Sequence, residues 1–176
     1  HVNIAPYCLK QLNGALRRWR AEEPSKHFPP FNIFLSDAIT ATAVALGDTA
    51  FALAFALGVH CLLRPGELFA ITRGDMMLYP PRADYPAACI SIRQPKTKTI
   101  QALQHCTIID RPLAEACYSF FEMLPNDAKL VSDPGYFRTT LEKYVLLLDP
   151  EWKNLHGNPV PRCLRATGAT DHYLRN

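Results

Sequence analysis

The run from Ala50 to Leu63 constrains this chain more than any other stretch. Its residues are apolar on every side of a helical wheel, and such a helix is enclosed either by protein or by lipid. The run is too short to span a bilayer alone, and extending it upstream brings in Gly47, Asp48 and Thr49. His60 lies inside it, and a charged motif, Arg64-Pro65-Gly66-Glu67, follows at once. The run therefore reads as a central core helix around which the rest must pack, with no membrane partner.

Flanking patterns fill in the architecture. Ala5 to about Arg20 reads as a helix ending in Arg17, Arg18, Trp19 and Arg20, followed by a stretch broken by Pro24, Pro29 and Pro30. Two helices come next, roughly Ser36 to Leu46 and Asp48 to Leu63, with Ser36 or Asp37 capping the first and Asp48 the second after a break at Gly47. Arg64 to Ile71 continues as a short helix with Pro65 at its start. The pattern then changes. Met76 to Tyr79, Ala88 to Arg93 and Cys106 to Ile109 are short, partly alternating and rich in Ile, as in a small antiparallel sheet. Helices return from Pro112 to Leu124, from Pro134 to Leu148 with Asp133 as cap, and from near Pro161 onward. The expected fold is mainly α with a three-stranded antiparallel sheet, an α+β class. The expected division is residues 1–23 as the end of an N-terminal helical domain, 24–32 as linker and 33–176 as the main domain.

Composition excludes several classes. Of 176 residues, 48% are apolar and 20% charged, as in an ordinary globular protein. The formal charge of +3 permits nucleic-acid binding without demanding it. Cys8, Cys61, Cys89, Cys106, Cys117 and Cys163 form no CxxC pair and lie mostly in apolar surroundings. They read as reduced core residues of an intracellular protein, although an even number points weakly toward disulfides. His27, His60, His105, His156 and His172 lack metal-ligand spacing. Asp110, Asp127, Asp133 and Asp149 look like caps and turn residues, so neither metal, cofactor nor paired-carboxylate hydrolysis is expected. No signal peptide is evident, and a start without Met reads as a segment of a longer protein, nuclear in a eukaryote or cytoplasmic in a prokaryote.

Three basic positions stand out against this background. Arg64 follows the core helix, Lys96 sits in Gln94-Pro95-Lys96-Thr97-Lys98 between two expected strands, and Arg165 lies near the start of the last helix after Arg162. A fold that gathers them makes a pocket of fixed positive charge suited to phosphate, because Arg offers a planar fork of donors. Singly, each has a plain explanation: a surface pair of Arg64 with Glu67, solvated turn lysines, an arginine snorkelling from a helix. Their order within a helix–sheet–helix pattern reverses that balance.

In that order, the chain resembles the catalytic domain of the tyrosine recombinase (phage integrase) family over about 31–176. The first box of that family matches Arg64, Glu67, Leu68, Ile71 and Asp75; its turn lysine matches Lys96, with Lys98 as runner-up; its second box matches Leu164, Arg165, Thr167, Ala169 and Thr170. The resemblance implies DNA strand cleavage and rejoining without metal or cofactor, on double-stranded DNA and with other copies of the chain assembled on it. It implies that Arg64 and Arg165 bind the non-bridging phosphate oxygens, that Lys96 is the general acid, and that Glu67 holds Arg64. Arg17, Arg18, Arg20 and Lys98 would contact DNA. Two family histidines are replaced by Arg162 and Ala166; Arg162 can donate to phosphate but cannot relay a proton. Tyr173 lies too soon after Arg165, and on the same helix, to be the nucleophile, which is expected beyond Asn176. The segment alone is therefore expected to bind DNA without cutting it. A DNA-binding relic of a recombinase and a helical interaction domain with no nucleic-acid role remain alternatives.

Overall fold

The computed structural model describes residues 28–80, 88–92 and 104–175. The helices are α1 (Ile33–Ala45), α2 (Thr49–His60), α3 (Pro65–Leu68), α4 (Arg111–Phe121), α5 (Pro134–Leu148), α6 (Trp152–His156) and α7 (Arg162–Arg175). A 3-10 turn at Arg73–Asp75 leads into the strands β1 (Met76–Met77), β2 (Ala88–Ile92) and β3 (Gln104–Ile108), which form one antiparallel sheet in the order β1-β2-β3. The fold is mainly helical with a small three-stranded antiparallel sheet, and no helix among the described residues is long and apolar enough to cross a membrane.

The apolar run forms α2, and the run is enclosed. Phe51, Ala52, Leu53, Ala54, Phe55 and Leu57 are all buried, because α1 and α7 pack along α2 and α4 adds a further contact. Aromatic rings tie this helix to its neighbours. Phe51 lies 4.9 Å from Phe137 of α5 and 5.3 Å from Tyr144, while Phe31 lies 6.1 Å from Phe55 and 4.8 Å from Trp152 of α6. Phe31, at the edge of the stretch read as linker, is itself core at 2% exposure, and its N–H donates to Thr167 Oγ1 at 2.8 Å.

Of four expected caps, two form as the sequence signals and two depart from it. Asp110 Oδ1 accepts from Leu113 N at 2.8 Å and Asp133 Oδ1 from Gly135 N at 2.7 Å, capping α4 and α5. At α1 the cap is Asn32, which accepts from Leu35 N at 2.8 Å, rather than Ser36 or Asp37. Burial of Phe31 fixes where the chain enters, so the helix starts one turn earlier. Asp48 stands at the α2 cap position but makes no side-chain cap; its carboxylate accepts instead from the Tyr136 hydroxyl at 2.7 Å. Both α1 and α2 end in the same paired-bond turn. In α1, Gly47 N and Asp48 N reach back to Val44 O and Ala43 O with Gly47 at φ +79; in α2, Leu62 N and Leu63 N reach back to Val59 O and Gly58 O with Leu62 at φ +52. A leucine therefore occupies a left-handed position usually given to glycine, at a cost of roughly 1–2 kcal/mol.

The crossing of α2 and α7 is close. A Cβ at Gly58 would stand 2.6 Å from Leu164 Cδ2, and one at Gly168 would stand 2.0 Å from the Val59 carbonyl oxygen. The second contact is with backbone, which cannot swing aside as a side chain can. Gly168→Ala is expected to lower unfolding stability by about 1–3 kcal/mol, the usual cost of overpacking. Gly66→Ala, where an added Cβ meets nothing within 4 Å, is the matched control and is expected to be neutral or slightly stabilising. Urea midpoints for the two variants check the contrast.

Candidate phosphate-binding cleft

Arg64 is placed by the turn that ends α2. It occupies the position before α3, with Pro65 opening that helix, where the missing proline N–H would have no helical partner anyway. Glu67, three residues on, reaches back to it twice. Its Oε2 accepts from Arg64 N at 2.8 Å and its Oε1 from Arg64 Nη1 at 2.8 Å. The Glu67 side chain is 6% exposed and that of Arg64 37%, so the carboxylate is the buried member and the guanidinium the accessible one. This is the role read from the sequence for Glu67: a partner that holds Arg64.

Arg165 arrives from α7. Its Nη1 donates to Leu62 O at 2.8 Å, across 103 residues of sequence. The left-handed turn at Leu62 and the α2–α7 crossing set the two partners for that bond. Burial pushes the Arg165 guanidinium below its ordinary range, the nearby Arg64 charge pushes it further the same way, and Glu67 opposes them. The two arginines are thus close enough to repel. Two guanidinium charges against the one Glu67 carboxylate leave an excess of positive charge, which favours an anion at this spot.

A cleft of about 700 Å³ opens here, lined by Cys61, Leu62, Glu67, Ile92, Gln104, His105, Cys106 and Arg165. Arg165 and Glu67 form part of its wall, and Arg64 meets it through Glu67. Lys96 and Lys98 lie outside the described residues, as do Arg17, Arg18 and Arg20. The strand ends on either side of Lys96, Ile92 and Gln104, pair with each other and both line the cleft. Arg162 points elsewhere among the described residues: its guanidinium carbon lies 5.1 Å from the Phe28 ring centroid, a cation–π contact. Tyr173, 83% exposed, is eight residues beyond Arg165 on α7, about 12 Å further along the axis at 1.5 Å per residue.

His105 and Gln104 line the cleft and were not singled out from the sequence as site residues. His105 Nδ1 lies 3.1 Å from Ser91 Oγ across the β2–β3 pair. The available signal was register: continuing the β3 alternation two residues toward the N-terminus would have included both. Among the described residues, no group of three or more His, Cys, Asp or Glu side chains is arranged to hold a metal ion. What the cleft offers chemically is oriented cation donors, one buried carboxylate, an imidazole and two thiols.

No protein-family model matches this chain, and a search of curated proteins finds no relative. The reading of the site therefore stands on its geometry.

Glu67→Ala removes the acceptor for both an amide and a guanidinium. It is expected to cost about 1–3 kcal/mol in unfolding stability, the range for orphaning hydrogen-bonded groups, discounted for the exposure of Arg64. Glu67→Gln, which keeps an acceptor oxygen, is expected to cost less. Thermal unfolding of both variants checks the order; equal losses would show that the ion pair alone matters.

Proposed function

We propose that the cleft binds a backbone phosphate of double-stranded DNA between Arg64 and Arg165, in a domain like the catalytic domain of tyrosine recombinases. The observation that carries this reading is the adjacency of the two arginines, each oriented by a fixed acceptor, Glu67 for one and Leu62 O for the other. Held this way, the guanidiniums need little reorganisation when charge develops on a phosphate, which is the condition for electrostatic stabilisation of a transition state. Arg forks match phosphate oxygens in pairs.

In the full reaction of that kind, a tyrosine hydroxyl attacks the phosphorus, forming a 3′-phosphotyrosyl bond and expelling the 5′-oxygen. Arg64 and Arg165 neutralise the non-bridging oxygens, and Lys96 protonates the departing 5′-oxygen as general acid. Tyr173 is not assigned as nucleophile, given its distance along α7 from Arg165. Other copies of the chain join on the same DNA. Lys98 and the Arg17, Arg18 and Arg20 cluster are assigned to backbone contacts, which make binding salt-dependent.

A non-catalytic DNA-binding relic is the second reading, favoured by Ala166 in place of a family histidine and by the Phe28 contact of Arg162. Both readings share the phosphate site. Arg165→Ala is expected to weaken binding to a short duplex about ten- to a hundredfold, the cost of a lost charged hydrogen bond. It is also expected to reduce the slope of log K against log salt by about 1. Fluorescence anisotropy over a salt series measures both. An unchanged affinity and slope would leave the helical interaction domain, with no nucleic-acid role, as the surviving reading.

A further inference from the structure

The cleft wall carries a chemistry that phosphate binding does not use. Cys61 follows the last residue of α2, and Cys106 is the central residue of β3. Both line the cleft, close enough that each thiol shifts the other's proton affinity. The sheet register explains why these two meet. Cys106 pairs with Ile90, which is fully buried, so both point to the core side of the sheet. Cys89 pairs with Thr107 and points to the opposite face. Cys117 on α4 is also near Cys61 but is 0% exposed, and burial pushes its thiol up to about 12. Among the described cysteines, only Cys61 and Cys106 line the cleft.

The two thiols are not equivalent. Cys61, 7% exposed, is held protonated by the neighbouring Cys106 thiol and by burial. The Cys61 thiol, against a smaller opposing effect of burial, pulls the half-buried Cys106 thiol below its ordinary value. A thiolate is the nucleophile in thiol chemistry, so the accessible member of the pair is the activated one.

We propose that Cys106 and Cys61 form an oxidisable dithiol that opens onto the cleft and reacts with small peroxides. The Cys106 thiolate attacks one peroxide oxygen; an S–O bond forms, the O–O bond breaks, and the expelled hydroxide takes the Cys61 proton to leave as water. The Cys61 sulfur then attacks the Cys106 sulfenic acid; the S–S bond forms, the S–O bond breaks, and hydroxide leaves to be protonated by solvent as a second water. The two thiols lose two electrons and two protons, and one hydrogen peroxide is reduced to two waters. The resulting bridge joins the chain three residues before Arg64 to the middle of the strand that follows the Lys96 segment. This site stands whether or not the cleft receives DNA.

The test treats the reduced wild-type chain with hydrogen peroxide, blocks remaining thiols with N-ethylmaleimide, and maps the peptides by mass spectrometry. The expected result is loss of two alkylatable thiols, a Cys61–Cys106 linked peptide lighter by two hydrogens, and full reversal by dithiothreitol. Cys89→Ser and Cys117→Ser are expected to form the same bridge, and Cys61→Ser to leave a Cys106 sulfenic acid that dimedone traps. The proposal is overturned if both thiols stay alkylatable at peroxide doses that oxidise a free cysteine, or if the bridge joins either one to a different cysteine.

Discussion

The close crossing of α2 and α7 is the constraint on which the rest of the structure depends. Where Gly168 faces the Val59 carbonyl and Gly58 faces Leu164, the helices approach to a separation that admits no further side-chain atom. That approach brings α7 against the C-terminal turn of α2. The turn, in its left-handed form at Leu62, aims a carbonyl at Arg165 and sends the next residues into α3 with Arg64 at its head. Two arginines far apart in sequence thereby become neighbours. Helix packing and site assembly are one event: a wider crossing would loosen the core and separate the cations together.

The electrostatics of the site follow from the same geometry. Bringing two guanidiniums together is unfavourable, and the fold offsets this with one buried carboxylate and one backbone carbonyl rather than with two full counter-charges. The remaining positive charge faces an open cleft, with Arg165 exposed at its wall. Under the proposed function, this unmatched charge is what a DNA phosphate meets.

Much of this was legible in the sequence, and the failures have physical causes. The enclosed α2 helix followed from an apolar run with no polar face, and α4, α5 and α7 followed from caps and proline positions. The sheet was expected from three short Ile-rich stretches; β1 is shorter than its stretch, and β3 takes in Gln104 and His105 ahead of Cys106. Both are polar residues at the cleft wall, so the Ile-rich pattern stops short of them although the alternation of faces continues through both. The five-residue α6 escaped notice because it is shorter than any helical period can reveal, yet it delivers Trp152, 3% exposed, against Phe31. The neighbourhood of Arg64 and Arg165 was guessed from order alone. No local pattern encodes it, because it depends on two glycines on different helices. The pairing of Cys61 with Cys106 was equally hidden, since it needs the strand register to decide which thiols share a face.

The central claim is that Arg64 and Arg165 act on one phosphate. A double-mutant cycle of Arg64→Ala and Arg165→Ala on duplex DNA affinity tests it most directly. If both grip the same group, the second substitution costs much less once the first is made, with a coupling of about 1 kcal/mol or more. Strictly additive losses would mean two independent contacts, and the account of a single phosphate-binding cleft would fail.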